Sequence, residues 1–301
     1  MFLYITTSRG LFRFDIFKEK LTKIISNWHK GFFKSASKGF FGICLNDTGD
    51  QIITVSRENL NKKLKHDKST CVTIHFINKA NLKIIKKINI ENLFDVHQIS
   101  CFQNFVFLTE TGKNRIQILN IEKEIIEKYL DVGTIRDDIN HINAISTDNE
   151  NILIGLNNGH KKNIQQNSQI IKILLKDFKL NKDINIDPLK IGTLENLTGV
   201  YHTHDIERFN DDYLICSSYI GKIYSLNNKK FIKHLEPWTR GITISNDNIF
   251  IGKSGLGKRQ FRHSRYYDGE IYMLDRKNLN LIKKIKISNI GQLNDIMYSG
   301  N

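Results

Sequence analysis

Proline is nearly absent from this chain. Pro188 and Pro237 are the only two in 301 residues, so no Pro-rich stretch is available to separate domains, and residues 1–301 read as one domain large enough to bury a sizeable core. Cysteine is also scarce. Cys44, Cys71, Cys101 and Cys216 are far apart with no CxxC pair, which excludes a disulfide-stapled secreted framework and a thiolate zinc knuckle; they read as reduced core thiols. No apolar run approaches the roughly 20 residues of a membrane span. The opening MFLYITTSRG has neither a basic leader nor a cleavage-site pattern, so the expectation is a cytoplasmic chain with no membrane partner. Acidic residues are in deficit, 31 against 45 Lys and Arg, giving a net charge of +14. That balance points to an anionic partner, although the Ile-, Asn- and Lys-rich composition throughout the chain is a second source of it.

Several chemistry-bearing motifs are missing as well. Gly252-Lys253-Ser254 lacks the preceding glycine and the following helix of a phosphate loop, and no GxSxG elbow occurs. Tyr266 and Tyr267 beside Arg265 are candidates for stacking bases. There is no recognition helix, zinc finger or RNA-binding signature, so nucleic acid is not the expected partner.

What the chain does contain is a repeat. Six short apolar runs open on a polar or unusual residue, closely followed by isoleucine. They are Phe41-Gly42-Ile43, His97-Gln98-Ile99, Asn143-Ala144-Ile145, His204-Asp205-Ile206, Arg240-Gly241-Ile242 and Asn294-Asp295-Ile296, spaced 36 to 61 residues apart. Each of the first five is followed by a polar turn, a second apolar run, a loop, and a third run; a fourth, more charged segment closes most copies. The sixth copy supplies one strand only. The first residues supply three more, Phe2 to Thr6, Leu11 to Phe14 and Leu21 to Ile25, which would close the ring and remove its exposed edges. The expected fold is therefore all-β, a six-bladed β-propeller whose last blade joins N-terminal strands to the C-terminal one.

From about residue 140 to 296 the chain resembles a family of functionally uncharacterised bacterial six-bladed propeller proteins. The matching pieces are His141-Ile142-Asn143-Ala144-Ile145, His204 with its meander, Trp238-Thr239-Arg240-Gly241-Ile242 and Gly269 to Asp275. The family's Pro and Ser around its blade-opening histidine are replaced here by His202-Thr203-His204-Asp205. The resemblance implies the fold and no reaction.

In such a fold the six opening residues, Phe41, His97, Asn143, His204, Arg240 and Asn294, should ring the mouth of the central channel. His141 and His202 lie two residues ahead of their anchors, and strand alternation would point them the same way. His97 and His204 with His141 or His202 form a candidate ligand set for a divalent metal such as zinc or manganese. That arrangement would look like propeller lyases that hold zinc through three histidines on neighbouring blades, with His204, Arg240 and Tyr201 as catalytic candidates. His97, Asn143 and Asn294 are candidate ligand-binding residues, with Arg259 and Arg262 from a long basic loop over the same face. The function expected is binding of a small anionic molecule in this funnel, with metal-assisted lyase or hydrolase chemistry as one form of it. The alternative is a non-catalytic binding or protein-interaction scaffold, in which the histidines are neutral groups lining a wet channel.

Overall fold

A computed structural model describes residues 1–26, 39–58, 70–93, 95–132, 140–158, 166–180, 182–255 and 267–300. The first strands are β1 (Phe2–Thr7), β2 (Gly10–Asp15) and β3 (Lys20–Ser26). Five meanders follow. The first holds β4 (Gly39–Leu45), β5 (Gln51–Glu58), β6 (Thr70–Asn78) and β7 (Ile84–Leu93), and the second β8 (Val96–Phe102), β9 (Phe105–Glu110), β10 (Arg115–Asn120) and β11 (Ile125–Asp131). The third holds β12 (Ile142–Thr147), β13 (Asn151–Leu156) and β14 (Gln169–Leu174). Before its fourth strand come helix α1 (Leu175–Leu180), β15 (Asn185–Ile186) and helix α2 (Pro188–Ile191); β16 (Gly192–Asn196) then completes it. The fourth holds β17 (Thr203–Phe209), β18 (Asp212–Ser217), β19 (Lys222–Ser225) and β20 (Lys230–His234). The fifth holds β21 (Thr239–Ile244), β22 (Asn248–Ser254), β23 (Gly269–Asp275) and β24 (Leu281–Ile287), and β25 (Leu293–Tyr298) ends the series.

These strands form six small antiparallel sheets arranged as a six-bladed β-propeller. The sixth sheet has the order β25-β1-β2-β3, closed by Leu3 opposite Tyr298 and Ile5 opposite Ile296. The ring closure read from the repeat is the one observed.

Alternation along the strands explains the packing. A strand with both faces against neighbouring blades buries consecutive residues, and β13 is buried along its whole length, from Asn151 to Leu156. The apolar core accordingly divides into six clusters, one per blade interface. The seam between the closing blade and the first is filled by Tyr4, Leu11, Phe40, Ile43, Ile52 and Ile77. Each such side chain contributes about 1.5–3 kcal/mol on burial, so stability is spread around the ring and no single centre holds it.

One feature departs from the repeat. The segment between β14 and β16 folds back on the second blade, where β15 pairs in parallel with β11 (Leu130 opposite Ile186) and covers its outer edge. Leu175, Phe178 and Ile186 are buried in the core between the second and third blades. α2 starts at Asp187, whose side chain caps the Leu189 N–H, with Pro188 at the first helical position where no N–H is needed.

Candidate functional site

The opening residues of all six innermost strands fall at β-bulges. The pairing between β4 and β5 passes from Phe40 opposite Ser56 to Ile43 opposite Thr54, one residue longer on β4. The same slip occurs between Val96 and Ile99, Ile142 and Ala144, Thr203 and Ile206, Thr239 and Ile242, and between Leu293 and Asp295 opposite β1. Phe41, His97, Asn143, His204, Arg240 and Asn294 each stand at this slip. A bulge re-aims side chains and raises local twist. Its unpaired backbone donors need partners, and in the second blade Thr109 Oγ1 accepts from both His97 N at 3.2 Å and Gln98 N at 2.8 Å.

A left-handed residue introduces most of these strands: Gly39, Asp95, His141, His202 and Trp238, each two positions before its anchor, with Gly291 near the last. For bulky side chains this backbone is uncommon and costs on the order of 1–3 kcal/mol. It also breaks the period of two. His141 and His202 lie outside β12 and β17, so strand alternation does not orient them.

The mouth has two halves. In one, the Arg57 guanidinium lies 3.4 Å from the Phe41 ring centroid and forms an ion pair with Asp95. His97 meets Phe41 edge-on at 5.8 Å and His141 at 5.7 Å, and its Nε2 lies 3.4 Å from Asp95 Oδ2. In the other half His204 holds the centre. Its Nδ1–H donates to the His202 carbonyl at 3.0 Å, which leaves Nε2 as a bare acceptor for Asn143 Nδ2 at 3.4 Å. Burial and the nearby Arg240 charge hold the imidazole well below its ordinary pKa. The tautomer in turn orients Asn143: its NH₂ group faces His204, and its Oδ1, in a residue only 2% exposed, has no hydrogen-bond partner.

The remaining candidates are placed differently. Asn294 Nδ2 donates to Phe40 C=O at 2.7 Å and ties the closing blade to the first. Tyr201 lies before β17, its backbone N–H donating to Ser217 Oγ at 2.9 Å and its C=O accepting from the same hydroxyl. His202 packs against Tyr219 with ring centroids 5.6 Å apart. The four histidines therefore do not converge on one point. Among the described residues no group of three or more His, Cys, Asp or Glu side chains is placed to hold a metal ion, so the expected zinc or manganese ligand set does not fit. Arg259 and Arg262 lie outside the described residues. Two other basic residues near the ends of the second strands are held in ion pairs, Arg57 with Asp95 and Lys253 with Glu236 and Glu270.

Below the mouth is a second layer, formed by the residue after each anchor. Around the ring it alternates small and polar: Gly42, Gln98, Ala144, Asp205, Gly241 and Asp295. Each polar member accepts from the isoleucine N–H of the next blade: Asp295 from Ile43 at 3.3 Å, Gln98 from Ile145 at 2.9 Å, and Asp205 from Ile242 at 2.6 Å. Gln98 Nε2 also donates to Asp205 across the channel. The small members make room, since a Cβ on Gly42 would lie 2.4 Å from Ile99 N and one on Gly241 2.6 Å from Ile296 N. Beyond this layer opens a cavity of about 310 Å³ whose wall includes Cys44, Ser100, Ser146, Glu207, Thr243 and Met297. Burial and the neighbouring Asp205 push Glu207 up to about 8, and burial raises Asp205 and Asp295 too. The polar layer was printed in the repeat itself, one position past each anchor, yet its role shows only once blades are neighbours.

No protein-family model matches the chain, and no curated protein matches it. Among solved structures it is similar to a chain of a nidogen/laminin complex, with a TM-score of 0.63 and 11% identity over 100% of this chain and 99% of that one. It is also similar to a protein of unknown function from Bacteroides caccae, with a TM-score of 0.61 and 10% identity over 98% and 97% of the two chains. These likenesses show the propeller fold, an architecture that hosts many unrelated functions. No helix among the described residues is long and apolar enough to cross a membrane.

Proposed function

We propose that the mouth formed by the six bulged strands binds a small anionic ligand. The observation that carries this reading is Arg240, a buried cation at the mouth, close enough to the His204 imidazole to help hold it neutral. Beside His204, Asn143 Oδ1 is a buried acceptor without a donor; such exceptions gather at sites that meet a ligand, here one that carries an O–H as well as its negative charge. Arg240 supplies the positive charge, and Arg259 and Arg262, which lie outside the described residues, are the further basic residues proposed to add to it. Electrostatic focusing by a basic face raises the rate at which an anion is captured.

Binding is favoured over lyase or hydrolase chemistry because of His204. A general base at neutral pH needs a pKa near the operating pH. Burial and Arg240 disfavour the imidazolium form, so His204 is suited to accepting a hydrogen bond and not to taking a proton. Thermal denaturation in the presence of small carboxylates, phosphates and sulfates tests the reading. At least one should raise the melting temperature saturably, and Arg259→Glu with Arg262→Glu should diminish that rise. A flat response across the whole panel would contradict it.

A further inference from the structure

Three aromatic rings stand on the entrance face beside the mouth, and the anion-binding reading does not use them. His202 precedes His204 by two residues and Trp238 precedes Arg240 by two, both in left-handed backbone, with φ of 54° and 71°. Tyr219 lies between them on the short 3-10 turn Ser218–Ile220. That turn fixes all three: Ser218 N donates to the His202 carbonyl at 3.1 Å, and Trp238 N donates to the Ser218 carbonyl at 2.6 Å. The rings form a continuous row, His202 to Tyr219 at 5.6 Å and Tyr219 to Trp238 at 6.1 Å. The row is not core. Tyr219 is 41% exposed, and His202 and Trp238 are half-buried.

Resting on the anion-binding reading above, we propose that the ligand is an acidic saccharide whose sugar ring lies on the His202–Tyr219–Trp238 platform while its carboxylate or sulfate reaches Arg240. The C–H face of a pyranose packs on an aromatic face by dispersion, and the rings keep a polar edge for its hydroxyls. Beside His204, Asn143 Oδ1 is an acceptor without a donor, and a polyhydroxylated ring is rich in O–H donors. A nucleobase fits less well. The interplanar angles, 31° and 77°, leave no parallel pair of rings to sandwich a flat base. Fixing bulky rings in left-handed backbone is the kind of local strain that persists where it serves a site.

Titrations of the full chain, followed by tryptophan fluorescence and calorimetry, test this with four probes: a chondroitin sulfate tetrasaccharide, the neutral chitotetraose, citrate and adenosine monophosphate. The sulfated tetrasaccharide should bind at least tenfold more tightly than citrate or chitotetraose. Tyr219→Ala should weaken it at least tenfold while changing citrate affinity less than twofold, and Arg240→Gln should weaken both. Trp238→Asn, which keeps a residue tolerant of left-handed backbone, should abolish the fluorescence response and weaken the saccharide alone. If citrate binds through Arg240 but the tetrasaccharide binds no tighter, or Tyr219→Ala leaves it unchanged, the saccharide assignment falls and the anion site stands. Tighter binding of the mononucleotide through Tyr219 overturns the assignment in favour of a base. If no anion binds, both readings fall together.

Discussion

Glu207 lines the cavity beyond the polar layer, where burial and Asp205 raise its carboxyl to about 8, against 4.5 for an unperturbed glutamate. The sign of the linkage follows. Between these values the native state holds a proton that the unfolded chain has released, so stability is fully present below about pH 4.5 and is lost as pH rises through about 8. Asp205 and Asp295 act in the same direction. The buried His75 acts oppositely: burial lowers it to about 4, so its contribution is lost on acidification below about pH 6.5. Glu207→Gln should therefore raise the melting temperature at pH 8–9 by a few degrees and leave it unchanged at pH 4. Thermal denaturation at the two pH values measures this; an equal effect at both would show that Glu207 does not titrate as described.

At the scale of the strand, the bulge is the recurring device, and the residue after the anchor decides how closely blades approach. Gly42 is buried with its Cβ position 2.4 Å from Ile99 N, a backbone atom that cannot move alone. Gly42→Ala should destabilise the chain by about 2–3 kcal/mol, within the range for overpacking a filled interior; a denaturation midpoint indistinguishable from the parent would show that the blades are looser than drawn. Much of this was legible beforehand. The period of the repeat, the position of the anchors and the join of the N-terminal strands with the C-terminal one follow from apolar runs and turns, because local patterning governs them. The orientation of His141 and His202 was not legible, since a single left-handed residue interrupts alternation and composition does not announce it. Nor was the folding of residues 175–191 onto the second blade, where β15 finds its partner 56 positions earlier in the chain. The ion pair of Arg57 with Asp95 was hidden for the same reason: its two members are 38 residues apart, and the sequence shows only their charges.

At the scale of the whole molecule, six interblade cores and a closed ring hold rigid strands whose first residues face a common mouth. This division lets the interior serve stability while the mouth carries groups that a purely structural channel does not need: a buried arginine, a neutral histidine and an amide oxygen without a donor. The chain as a whole carries a net charge of +14, and in the proposed site the charge that meets the anion is Arg240. Isothermal titration of the anion that most stabilises the chain, against the parent, Arg240→Gln and Arg13→Gln, tests this most directly. Arg13 lies on β2, with its guanidinium stacked on Phe2, and serves as the control cation. A lost charge-assisted hydrogen bond is worth about 1.5–3 kcal/mol, so Arg240→Gln should weaken binding by about tenfold or more while Arg13→Gln leaves it unchanged. Equal affinity for all three proteins would contradict a binding site at the bulged mouth.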